Sequence, residues 1–153
     1  MNPSDQLGSA AGPIVGERLK QLRKTQGIGY AELSRKLAQV GCAIAELGLR
    51  KIENGERKVS VDDLLALAYA LDVAPVTLLV PDVDAGDIVE GTGLTAAKLW
   101  AWVRAEEPFG AAPGDRGGRA RLAFLARSQP GWVLDEYAKA VEAVQAAREP
   151  RGE

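Results

Sequence analysis

Apolar residues recur through the first half of the chain at the spacing of one helical face. Val15, Leu19 and Leu22 fall at i, i+4 and i+7, and Leu33, Leu37 and Val40 repeat the spacing. The first set predicts a helix over 14–26, stopped by Gly27. The second predicts a helix over 30–40, ended by Gly41. A shorter third helix holds Leu49 and Ile52 and ends at Asn54-Gly55, a dipeptide whose residues both tolerate positive φ. The fourth opens at Ser60, a good N-cap, with Asp63 three positions on as a weaker form of the capping box. Its expected apolar face is Val61, Leu64, Leu65, Ala68 and Leu71. A brief fifth helix is expected over 75–79, because proline suits a first helical position.

The pattern is weaker beyond Val80. Pro81, Asp82, Asp84 and Gly86 predict a linker over 81–93. Thr95 is a candidate cap for a helix over 94–107, with Leu99, Trp100 and Val103 facing inward. The Gly- and Pro-rich stretch "EPFGAAPGDRGG" (107–118) reads as a loop. A helix over 119–128 is closed by Pro130-Gly131, and a longer one follows over 132–148. In the last, Leu134, Tyr137, Val141 and Val144 keep a heptad-like spacing for barely two heptads. No segment alternates cleanly as a strand does. The expected fold class is therefore all-α.

Composition narrows the function classes. The chain has 153 residues, room for one ordinary domain or two small ones. Aromatic residues make up only 5%, so the core must be aliphatic and alanine-rich. The net charge of −2 argues against nonspecific coating of nucleic acid. Charge is uneven, however. Residues 13–80 hold ten Lys/Arg against eight Asp/Glu, and residues 81–153 hold nine against twelve. The first half is the better candidate for meeting phosphates. With no histidine and one cysteine, a conventional zinc site, a Ser-His-Asp triad and an internal disulfide are all excluded. An enzyme is not expected, nor a metal or cofactor. The lone cysteine fits a reducing cytoplasm, and no run is long and apolar enough for a membrane. Residues 1–13 lack the basic start and apolar run of a signal peptide and read as a flexible tail.

Two stretches carry a resemblance. "GERLKQLRKTQGIGYAELSRKL" is similar to the first two helices of the phage-repressor-like (Cro/Xre-type) helix-turn-helix family. "LRKIENGERKVSVDDLLALAYALDVAP" is similar to the end of its recognition helix, the following loop and its fourth helix. The match covers a little under half the chain, and its second part is the more specific. An inserted segment around "AQVGCAIAELG" and the Ala/Arg/Gly/Val-rich composition look actinobacterial. The resemblance implies a five-helix DNA-binding domain over 14–80, the linker 81–93, and a smaller helical C-terminal region over 94–153. That region would serve dimerisation, partner contact or ligand response. It also implies a sequence-specific transcriptional regulator of double-stranded DNA, working as a homodimer on a two-fold site.

Carried onto this chain, the recognition helix would present Ala45, Glu46, Leu47 and Arg50 to base edges. Arg50 is the strongest candidate, since arginine pairs bidentately with guanine. Tyr30, Lys51, Asn54 and Arg57 are the candidates for phosphate. Tyr30 stands where the family often has glutamine, and Ser34 stands at its small-residue position. The span from Leu37 to Ile52 exceeds the usual one by more than one helical turn, so the segment 38–48 holds an extended second helix or a longer turn. Glu46 and Gly48 are unusual on a recognition helix. Glu53 is expected to form a structural ion pair with a partner on the first or second helix, such as Arg18 or Arg35, or to cap a neighbouring turn. Cys42 is expected to be a small, half-buried residue, and Trp100, Trp102 and Trp132 to pack rather than to line a ligand pocket. Two other functions share these features: the antitoxin of a toxin–antitoxin pair, and a protein-interaction module that has lost DNA binding.

Overall fold

The computed structural model describes residues 7–109 and 118–148. Among them the chain is mostly helical, with one short antiparallel ribbon. It divides into two compact units, the first running through Arg104 and the second beginning at Ala105. The first unit contains α1 (Leu7–Thr25), α2 (Tyr30–Gln39), α3 (Glu46–Glu53), α4 (Val61–Ala70), a 3-10 turn (Pro75–Leu78), β1 (Ile88–Val89), β2 (Leu94–Thr95) and α5 (Ala96–Val103). The second contains α6 (Arg119–Ser128) and α7 (Gly131–Arg148).

Local chemistry sets most of these boundaries. Beyond α1, Ile28 N–H donates to the Arg23 carbonyl at 2.9 Å, and Gly27 takes φ +68° to allow it. Beyond α2, Cys42 N–H reaches the Leu37 carbonyl at 3.0 Å past Gly41 at φ +79°. α4 opens on the reciprocal capping box: Asp63 N–H donates to Ser60 Oγ at 3.0 Å, and Ser60 N–H donates to Asp63 Oδ2 at 3.2 Å. The core is aliphatic as the composition requires, with Leu19, Leu33, Leu37, Ile44, Leu49, Ile52, Leu67, Leu71 and Leu78 fully buried. In it α1 packs on α3 and the 3-10 turn, and α2 packs on α3 and α4.

Four expectations are corrected. α1 begins at Leu7 rather than near Ile14, and Ala10 is buried, so 7–13 is no loose tail. Pro13 lies inside the helix. Proline and glycine read as breakers in sequence, yet the helix runs through Gly8, Gly12 and Pro13. The linker 81–93 instead holds β1 and turns into β2, with Ile88 paired to Thr95 and Val89 to Leu94. Thr92 is buried there, donating through Oγ1 to the Val89 carbonyl at 2.9 Å. The helix expected over 94–107 is α5 alone. Thr95 is its N-cap, accepting from Lys98 N–H at 3.4 Å, and Leu99 is its buried anchor. In α4, fourth, Val61 and Leu65 point outward, while Ala66, Leu67 and Ala70 face the core with Ala68 and Leu71. α6 matches its expected range. The predicted loop 107–118 falls largely on 110–117, outside the described residues.

Candidate nucleic-acid interface

α3 is held by its apolar side and its last turn. Leu49 and Ile52 are fully buried, and Ile44 plugs the turn that precedes them. That turn, residues 40–45, accounts for the long span: α2 stops at Gln39, so the extra length is turn and not helix. Ser34 Oγ donates to the Ile44 carbonyl at 2.7 Å and so ties α2 to the turn. Gly16 of α1 meets the other end of α3. A Cβ there would collide with the Ile52 carbonyl oxygen and would lie 3.3 Å from that of Glu53. Glycine to alanine ordinarily favours a helix. Gly16→Ala should do the reverse and cost about 1–3 kcal/mol, because the colliding atom is backbone. A melting temperature equal to or above the parent's would contradict that close approach.

The outward side of α3 is one stripe. Glu46, Leu47, Arg50, Lys51 and Asn54 fall at i, i+1, i+4, i+5 and i+8, and all are exposed. Ala45 is the exposed N-cap. Leu47 is 64% exposed and the Arg50 side chain 57%. Arg50 Nη2 lies 3.9 Å from Glu46 Oε2, a solvated pair weak enough for a competing ligand to open. Asn54 Nδ2 donates to Glu56 Oε1 at 3.4 Å. Five of the expected residues thus share one face, which also explains the place of Glu46: it pairs with Arg50.

Tyr30 is placed differently. Its hydroxyl donates to Glu53 Oε2 at 2.7 Å, so the proton expected for phosphate is already used. Glu53 also accepts from Arg23 Nε at 2.7 Å and Nη2 at 3.2 Å. Arg23, not Arg18 or Arg35, is therefore its ion-pair partner. Arg18 instead reaches Asp82 at 3.3 Å and the Thr77 carbonyl at 3.2 Å. The Arg23 guanidinium lies 3.9 Å from the Tyr30 ring centroid and that of Arg50 lies 4.8 Å from it. The cluster joins α1, α2 and the end of α3 and leaves Arg50 leaning on an aromatic ring.

Burial pushes the Glu53 carboxyl up, but hydrogen bonds from Arg23 and Tyr30 and the charges of Arg23 and Lys20 outweigh it. The group sits below the usual carboxylate range. The Tyr30 phenol is raised, first by its hydrogen bond to Glu53 and then by burial. The depressed Glu53 contributes stability that is complete above the ordinary carboxylate pKa of about 4 and lost as pH falls through its folded value. The raised Tyr30 contributes stability that is complete below the ordinary phenol pKa of about 10 and lost as pH rises through its folded value. Melting temperature should therefore hold between those limits and fall on both sides. Glu53→Gln should flatten the acid limb, and an acid limb unchanged in that variant would count against the cluster.

Arg57 is also turned inward. Its Nη2 lies 3.3 Å from Asp63 Oδ2, and its Nη1 lies 2.7 Å from where a Cβ on Gly48 would stand. The glycine on α3 thus makes room for a guanidinium braced on the α4 cap, which alters the phosphate role expected for Arg57. Cys42 Sγ donates to Asp63 Oδ1 at 3.5 Å. Burial, then that hydrogen bond, push the thiol up and keep it protonated, unlike a reactive thiolate. Gly16 was not legible as a site-forming residue, and neither was the pairing of Arg23 with Glu53 or of Asp63 with Arg57. The chain matches no family model, no curated protein and no solved structure.

Proposed function

We propose that the protein is a sequence-specific DNA-binding transcriptional regulator of the phage-repressor-like helix-turn-helix class, acting in the cytoplasm as a homodimer on a two-fold site. The observation that carries this is the α3 stripe: Arg50 and Lys51 stand exposed on a short helix that is buried on its other side and clamped at its last turn. In this reading α3 enters the major groove and α2 lies across the backbone. Arg50 reads a base edge, while Lys51 and Asn54 meet phosphate. The N-termini of α2 and α3, at Gly29 and Ala45, have no side-chain cap, which leaves backbone N–H groups for phosphate oxygens. Affinity then comes mainly from phosphate neutralisation and falls steeply with salt.

Arg50→Ala tests the central role. It should weaken specific binding by about 1–3 kcal/mol while changing affinity for random duplex far less. Equal losses on both would reduce Arg50 to a phosphate contact. A second reading, the antitoxin, is favoured by the exposed Trp132, Tyr137, Val141 and Val144 of α7, a surface for a protein partner. Co-purification of a small protein with the full chain would support it.

A further inference from the structure

α4 is apolar on two sides. Its inner side, Ala66, Leu67, Ala68 and Ala70, belongs to the core. Its outer side carries Val61, Leu65 and Tyr69 at i, i+4 and i+8, and these are 73%, 52% and 74% exposed. They form one ridge down the helix. A helix apolar all round is normally covered all round. The charges lie at the ends of the ridge. Lys58 and Asp62 stand at its start and Asp72 just past its end, all exposed. Lys36 of α2 shares a groove there with Val40, Tyr69 and Asp72.

We propose that this ridge binds a second copy of the same chain, with the two α4 helices antiparallel and crossing at Leu65. The sequence is self-complementary about that residue. A two-fold axis at Leu65 sets residue 61 opposite 69, and brings the segment before one α4, with Lys58, to the end of the other, with Asp72. Val61 of one copy then faces Tyr69 of the other, small against large. Lys58 meets Asp72, and Asp62 meets the Lys36 side of the groove. Both pairings are opposite in sign, and the symmetry repeats each of them. Lys36 is only loosely engaged within its own chain, 3.9 Å from Glu32 and 3.5 Å from the Ala70 carbonyl. Because α2 packs on both α3 and α4, a contact through α4 fixes the spacing of two α3 helices. The proposal rests on the regulator reading only for that last consequence.

The test is the mass of the full chain in solution without DNA, by sedimentation over a range of concentrations. The wild type is expected to dimerise. Leu65→Glu should raise the dimer dissociation constant by about tenfold or more, with helix content unchanged. Tyr69→Glu should do the same, so a folding defect in one variant cannot decide the matter. Val141→Glu, on the exposed ridge of α7, should leave the dimer intact. Leu65→Cys should cross-link under mild oxidation because residue 65 meets itself, while Val61→Cys should not. A monomeric wild type, a dimer indifferent to both glutamates, or a dimer lost only with Val141→Glu would overturn the proposal. A dimer of this kind that ignores DNA would overturn the regulator reading instead, and DNA binding by a monomer would do the opposite.

Discussion

Arg23→Ala is expected to remove about 3–5 kcal/mol of stability, the cost of stranding a buried carboxylate without its partner. The Glu53 side chain is only 3% exposed, and Arg23 meets both of its oxygens. Removing the guanidinium leaves one hydroxyl, that of Tyr30, to satisfy the group. It also frees the Ile28 carbonyl, which accepts from Arg23 Nη1 at 3.2 Å, and strips the ring of Tyr30 of its nearest cation. A domain with about 5–15 kcal/mol in hand feels such a loss as a large drop in denaturant midpoint. Arg23→Ala/Glu53→Gln should recover part of it, because no buried charge is then unpaired. A loss below about 1 kcal/mol in the single variant would put the pair in the class of ordinary surface bridges.

Leu49→Ala should cost about 2–5 kcal/mol, as truncation of a fully buried leucine does. Leu49 lies midway along the inner side of an eight-residue helix. So short a helix has little stability of its own and depends on packing. The cavity should therefore loosen α3 before it loosens α1, and duplex binding should weaken by more than the fraction unfolded explains. Native-state hydrogen exchange would show this as faster exchange in α3. An unchanged melting temperature would mean that α3 is not seated by Leu49.

What was legible in the sequence was local. Ser60 with Asp63, Gly27, Gly41 and Asn54-Gly55 each act within a few residues, and each marks the boundary it was expected to mark. The stripe from Glu46 to Asn54 follows from the anchors Leu49 and Ile52 and the helical repeat. What was not legible depends on partners far apart in the chain. The sequence offers Arg18 and Arg35 to Glu53, but Arg23, thirty residues away, is brought to it by the way α1 lies on α3. That same choice commits the Tyr30 hydroxyl. Gly48 is unusual on such a helix in sequence alone, and only the fold brings Arg57 against it. Periodicity misassigns the face of α4 because a helix apolar on two sides offers two stripes and the spacing alone does not say which one meets the core. The sequence pattern starts α1 too late because Gly8, Gly12 and Pro13 each weigh against helix when taken singly.

Whether α3 reads DNA is decided by duplex binding. The most direct measurement is selection of the purified full chain against a random duplex library, followed by titration of the recovered site at two salt concentrations. The expected result is an enriched motif, two-fold in form, whose affinity drops steeply as salt rises. No enriched motif and no salt-sensitive binding would contradict it and assign the α3 stripe to a protein partner.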